Sequence, residues 1–350
     1  MIRQSLLGVV FVLATLIFST ADAEAIPVFA HRYGLSCQAC HTTVPHLNAF
    51  GEDFLAGGYA LSGAKPGPVF PVAIKVNLAY SSEPTGSSLP KAVVDEVELL
   101  TGGHVGKAGS YFAEVYAIDG GHVGSVRDAW YAQRLGQVEA TGGQFTLPLP
   151  VDPETFRETN THYAIYDQTV GANPFNFFDP KQGLSVRFGS EESGISVSAL
   201  GGHDKQSGLA SHGIDRMIAA RTARGAFSAS VYRYDGARAL DSGNDRFWRQ
   251  GIGLGYTAER LRIDATLQTG NDMGLGIRSS GGFVQARFAF TPALTAIVRY
   301  DGTQDTKFAR TLLIGASRRV GRNARFTLED LIARVPQAKH TLNAAYLFAY

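Results

Sequence analysis

The sequence predicts an all-β chain, an antiparallel transmembrane β-barrel of about sixteen strands, with a small α-helical segment at its N-terminus. Three observations predict it. From Val69 to Tyr350 the chain alternates apolar and polar residues with period two, as in Val72, Ile74, Val76, Leu78 and Tyr80 against Ala73, Lys75, Asn77 and Ala79. The alternating segments number sixteen, each near the ten residues that a tilted membrane strand needs. The chain also ends in alternation, with Leu342, Ala344, Tyr346, Phe348 and Tyr350, and its last residue is aromatic.

Residues 1–23 read as a signal peptide. Arg3 supplies the positive start, Leu6 to Phe18 the apolar run, and Ala21-Asp22-Ala23 the small-residue cleavage site. The run is too short for a comfortable membrane helix. Residues 24–66 form a second unit, and the barrel takes 67–350. The chain's two cysteines both lie in the second unit, as Cys37-Gln38-Ala39-Cys40-His41. C-x-x-C-H is the signature of covalent c-type haem attachment. Two thiols one turn apart each bond a vinyl group of one porphyrin, and the adjacent imidazole takes the proximal side of the iron. A thioredoxin-like pair wants a βαβ context, and a structural zinc wants two more ligands. Neither is present. The cofactor expected is one covalent haem c on Cys37 and Cys40, with His41 as axial iron ligand.

After the motif, Pro45 suits the first turn of a helix carrying Leu47, Phe50, Phe54 and Leu55, closed by Gly57-Gly58. About forty residues bury no adequate core alone. The unit is therefore expected to act as a plug, at the periplasmic end or in the lumen. The sixth iron ligand stays open between His31, His46, His104, His162, Met217 and Met273.

In the barrel the predicted strands fall near 69–82, 91–103, 109–119, 124–135, 138–147, 182–190, 195–203, 214–223, 226–235, 246–257, 260–270, 281–290, 293–302, 309–319, 323–334 and 340–350. Connections after even strands are short, such as Arg224-Gly225 and Thr291-Pro292. Those after odd strands are longer, including Gly236 to Asp245, Asn271 to Ser280, and Pro148 to Lys181. Short turns on the periplasmic side and long outer loops mark a bacterial outer-membrane barrel. Tyr80, Tyr256, Tyr300 and Tyr350 are placed for an aromatic girdle. Lys75, Glu96, Glu98, Arg262, Gln285, Arg287, Arg299 and Arg325 are expected to face the lumen. Asp152, Glu154, Glu158, Asp167 and Asp179 in the long loop belong to a hydrated outer loop or offer oxygen ligands to a metal ion.

The run Arg32 to His41, with Pro45, Leu47-Asn48, Phe50-Gly51, Phe54 and Gly58-Tyr59, resembles the fused outer-membrane cytochrome–porins, whose best-known members oxidise iron. The resemblance implies electron transfer between an extracellular donor, ferrous iron in the known type, and a periplasmic carrier such as a soluble cytochrome. It also implies an iron(II)-oxidase type of oxidoreductase rather than a classical enzyme. The other readings are a passive porin with a haem-bearing plug or redox gate, and a haem peroxidase or ligand sensor. The formal charge of +1 carries no basic excess, which speaks against nucleic acid as a partner and leaves outer-membrane lipid.

Overall fold

The computed structural model describes residues 33–35, 37–43, 46–48, 50, 51, 54, 61, 72–83, 92–106, 108–151, 158–190, 193–201, 213–321, 324–335 and 337–349. The signal peptide, His31 and Tyr350 lie outside these. The wall is built from β1 (Ala73–Ser81), β2 (Ala92–Val105), β3 (Gly109–Asp119), β4 (Val126–Leu135), β5 (Val138–Phe145), β6 (Lys181–Gly189), β7 (Gly194–Gly201) and β8 (Asp215–Arg224). It continues through β9 (Phe227–Leu240), β10 (Gly243–Thr257), β11 (Leu261–Asp272), β12 (Ile277–Thr291), β13 (Leu294–Gln304), β14 (Phe308–Val320), β15 (Ala324–Val335) and β16 (Gln337–Ala349). Each strand pairs antiparallel with the next, and β16 pairs with β1, so the sheet closes. A two-residue stub, His122–Val123, folds back on the end of β3. Closure leaves no edge strand with unpaired amides.

Each strand's alternation sets its two faces. Along β13, Thr295, Ile297, Arg299 and Asp301 are buried, while Leu294, Val298 and Tyr300 are exposed. Along β12, Gln285 and Arg287 are buried, while Val284, Phe288 and Phe290 are exposed. Polar inside and apolar outside is the reverse of a soluble sandwich and is the pattern of a barrel standing in lipid. Phe227 and Tyr256 face each other across β9 and β10 at the end that carries the short turns, with ring centroids 5.1 Å apart. The eight expected lumen residues all fall on the inward face. Lys75 pairs with Glu98 at 2.5 Å, Arg262 with Asp264 at 3.0 Å, and Glu96 lies within reach of the buried Asn77 amide.

Three expectations are corrected. The segments 236–245 and 271–280 are largely strand rather than long loops. β9 and β10 run 14 and 15 residues and meet at Asp241-Ser242. The apolar alternation stops where the wall leaves lipid, but the hydrogen-bond ladder continues, held inside by Arg238–Asp215 and Arg249–Asp272 ion pairs. Second, the connection between β5 and β6 is not a hydrated outer loop, because it enters the lumen. Third, His46–Leu47 is a strand paired with His41–Thr43 rather than the first turn of a helix. Asn48 explains the shift. Its side chain accepts from the amide of Gly51 at 2.9 Å, as a helix N-cap does, so the helical backbone at Phe50 and Gly51 follows Asn48.

Candidate functional site

Two features carry chemistry: the haem-motif turn and the lumen. Cys37–Cys40 forms one α-turn, and His41 opens the hairpin strand directly after it. Asn48 ties the hairpin to this turn, its amide donating to the carbonyl of Ala39 at 3.1 Å and its backbone N–H to the carbonyl of Cys40 at 2.8 Å. Cys40 and His41 are half-buried. Tyr33 meets Phe54 edge-on at 5.8 Å, Phe50 stacks on Phe54 at 6.3 Å, and Phe54 is buried. A C-x-x-C turn followed directly by an imidazole is the donor set that a c-type haem needs. The donor set fits the group.

The lumen is organised by the connection from Thr146 to Pro180. Its Pro150 lies against Gly253 of β10, and Arg221 of β8 donates to the Pro150 carbonyl at 2.5 Å. Glu158 pairs with Arg287 of β12 at 2.7 Å. Asn160 accepts from Asn77 of β1 at 3.0 Å, and its N–H donates to Glu329 of β15 at 2.8 Å. Arg299 of β13 is buried among Asp301, the Thr159 hydroxyl and the carbonyls of Thr161 and His162. The returning arm carries a one-turn helix, Ala164–Asp167, and then Asn173, whose amide bridges Asp245 at 2.8 Å and Asp272 at 2.9 Å. Phe177 ends against Tyr232 of β9. β1 and β9 stand opposite each other in a ring of sixteen, so this one connection touches facing walls.

Its apolar residues make the only extended hydrophobic core among the described residues. Leu147, Leu149, Val151, Tyr163, Ile165, Tyr166, Phe175 and Phe177 pack on the inward Leu200, Met217, Tyr232, Tyr234, Phe247 and Phe283. Burial pushes the phenols of Tyr163 and Tyr166 above the ordinary tyrosine range, so both stay neutral at physiological pH. Arg127 of β4 closes the far side, lying over the Phe178 ring at 4.4 Å and donating to its carbonyl.

The candidate ligands are dispersed. Met217 is buried in that core, and Met273 is exposed. His104, at the end of β2, bonds the Gly109 carbonyl across its turn at 3.0 Å. His162 lies in the lumen, stacked on Phe178 at 4.0 Å, with Nδ1 3.0 Å from Asp167. The side chain of His46 is outside the described residues. Of the loop carboxylates, Glu158 and Asp179 are buried in hydrogen bonds, Asp167 holds His162, and Asp152 and Glu154 fall outside the described residues. Among the described residues no group of three or more His, Cys, Asp or Glu could hold a metal ion. Sequence reading missed Asp215, Arg238, Asp245, Arg249, Asp272 and Asn173. Asp245 and Arg249 lie four residues apart on the inward face of β10, while Arg238, Asp245, Asp272 and Asn173 fall in segments read as loops.

The geometry defines a closed sixteen-stranded barrel of porin-like fold, with a connection folded into its lumen. Solved structures agree. The anion-selective porin from Comamonas acidovorans superposes with a TM-score of 0.63 over 80% of this chain and 98% of that one, at 12% identity. OmpF of Salmonella typhi, in complex with daunomycin, gives 0.59 over 80% and 97%, also at 12% identity. OmpT of Vibrio cholerae, as a loop L8 deletion mutant, gives 0.53 at 10% identity, over 80% and 97%. At such identities the likeness is one of fold. No protein-family model matches the chain. No curated protein matches it either.

Proposed function

We propose that this chain is a bacterial outer-membrane barrel carrying one covalent haem c, and that it transfers electrons between an extracellular donor and a periplasmic carrier. The observation that carries the reading is the union in one chain of a C-x-x-C-H turn and a membrane-type barrel. Cys37 and Cys40 would tether the group, and His41 would hold the iron. When bound, the haem supplies a one-electron redox site, whose potential follows the ligand opposite His41. Ferrous iron is the donor to which the cytochrome–porin resemblance points. A second reading, a passive porin with a haem-bearing plug or redox gate, is favoured more directly by the fold. The barrel likeness and the arginine-rich lumen support it without any appeal to the motif.

Vesicles holding a trapped redox dye separate the two. With the full chain inserted, external ferrous iron should reduce the dye, and His41→Ala should lose this while its unheated band still migrates as a folded barrel. Large ion conductance with dye reduction no faster than in empty vesicles would establish the porin reading instead. Denaturing electrophoresis with haem staining should show a band that Cys37→Ala with Cys40→Ala abolishes. An unstained wild-type band, from cells competent in haem attachment, would sink the haem assignment.

A further inference from the structure

The outward face of β8 to β12 changes character along a sharp line. Below it the cross-strand neighbours are apolar: Phe227 opposite Tyr256, Ala229 opposite Leu254, Val231 opposite Ile252, and Ile252 opposite Leu267. The next row upward is Arg233, Gln250, Thr269 and Ser280. The row above that is Arg216, Asp235, Trp248, Asn271 and Arg278, and Arg246 stands one row higher on β10. These rows lie toward the Asp241-Ser242 turn and away from the short turns at Gly225-Ala226 and Thr291-Ala293. They therefore edge the leaflet remote from the periplasm.

Four arginines are exposed here against one carboxylate, Asp235. Arg233 takes that carboxylate in a two-pronged contact, with Nη2 to Oδ1 at 2.7 Å and Nε to Oδ2 at 2.9 Å, and lies over the Trp248 ring at 5.1 Å. Arg216, Arg246 and Arg278 have no ion pair or side-chain hydrogen bond among the described residues. Three uncompensated guanidinium groups thus sit just above an apolar belt, beside a tryptophan of the kind that anchors at a lipid interface. Strand spacing of about 4.8 Å puts Arg216 and Arg278 roughly 20 Å apart, four strands along one row. A guanidinium is the side chain best shaped for bidentate contact with phosphate.

We propose that this row binds the phosphorylated headgroup of an anionic glycolipid in the outer leaflet, its acyl chains lying down the belt from Val231 and Ile252. The site rests on the membrane-barrel reading and not on the haem. A second copy meeting this face across a twofold axis would set arginine against arginine, so charge complementarity favours the lipid.

The test uses the full chain purified in detergent, with diphosphoryl lipid A as probe and native mass spectrometry as readout. Wild type should retain the probe. The Arg216→Gln, Arg246→Gln, Arg278→Gln variant should retain at least tenfold less, and dephosphorylated lipid A should bind both weakly. Arg224→Gln with Arg318→Gln, at the opposite rim, should behave as wild type. Equal retention by the triple variant, or equal binding of the dephosphorylated lipid, would overturn the site. So would efficient copy-to-copy cross-linking through Gln250→Cys in cells, which would assign the face to a second subunit. The barrel itself is checked separately by the shift of the unheated band. A wild type without that shift would refute the barrel reading beneath the proposal.

Discussion

Asp272 shows what a buried charge does in this lumen. It is fully buried, pairs with Arg249 at 2.8 Å, and accepts from the Asn173 amide on the lumen loop. Replacing one partner of such a pair leaves the other charged and desolvated, at a cost of about 3–5 kcal/mol. Asp272→Ala should therefore lower markedly the temperature at which the folded band converts to the heat-denatured band. Asn173→Ala removes only a neutral amide and should cost about 1–3 kcal/mol. An Asp272→Ala protein as heat-resistant as wild type would show that water reaches Arg249 and that the pair is not dry. Asn48 acts on the same scale in the haem segment, where one side chain closes both the motif turn and the next helical turn.

At the scale of elements, the decisive piece is the connection between β5 and β6. A hydrated loop has no use for eight buried apolar residues, and this one packs them on the inner wall. Its proline-rich arms and the Asn173 and Asn176 turns fix backbone shape without a helix or strand of any length. Excising residues 152–171 should leave β5 and β6 paired and widen the lumen, so single-channel conductance should rise severalfold in planar bilayers. Unchanged conductance would mean that the narrowest point lies elsewhere, and the N-terminal segment would be the next place to look. β16 has a different role, since it closes the ring against β1. A chain lacking β16 should not yield the heat-modifiable folded form.

The whole molecule has two unlike ends. The turns after β2, β4, β8, β10 and β12 are short, whereas β9 and β10 rise well beyond the roughly 25 Å apolar band. The tall side should face outward. Ser242→Cys should then react with a membrane-impermeant maleimide on intact cells, while Gly225→Cys should react only after permeabilisation. The reverse pattern would invert the orientation, and with it the direction assigned to electron transfer.

Much of this was determined by the sequence alone. Period-two alternation depends only on which residues neighbour each other along the chain, and a strand sends those neighbours to opposite faces whatever surrounds it. The strand count and the inward placement of Arg287 and Arg299 follow from that local rule, and the motif at Cys37 is legible from the C-x-x-C-H spacing itself. The reach of β9 through β12 did not, because an ion pair such as Arg238–Asp215 joins residues on different strands, and ladders carried on by such pairs leave no apolar pattern. The fate of the long connection did not follow either. Glu158 and Asp179 look like solvated loop residues until Arg287 and the Asn176 turn are brought to them. Whether a polar residue is wet or buried is settled by its partners, and only closure of the barrel brings those partners together.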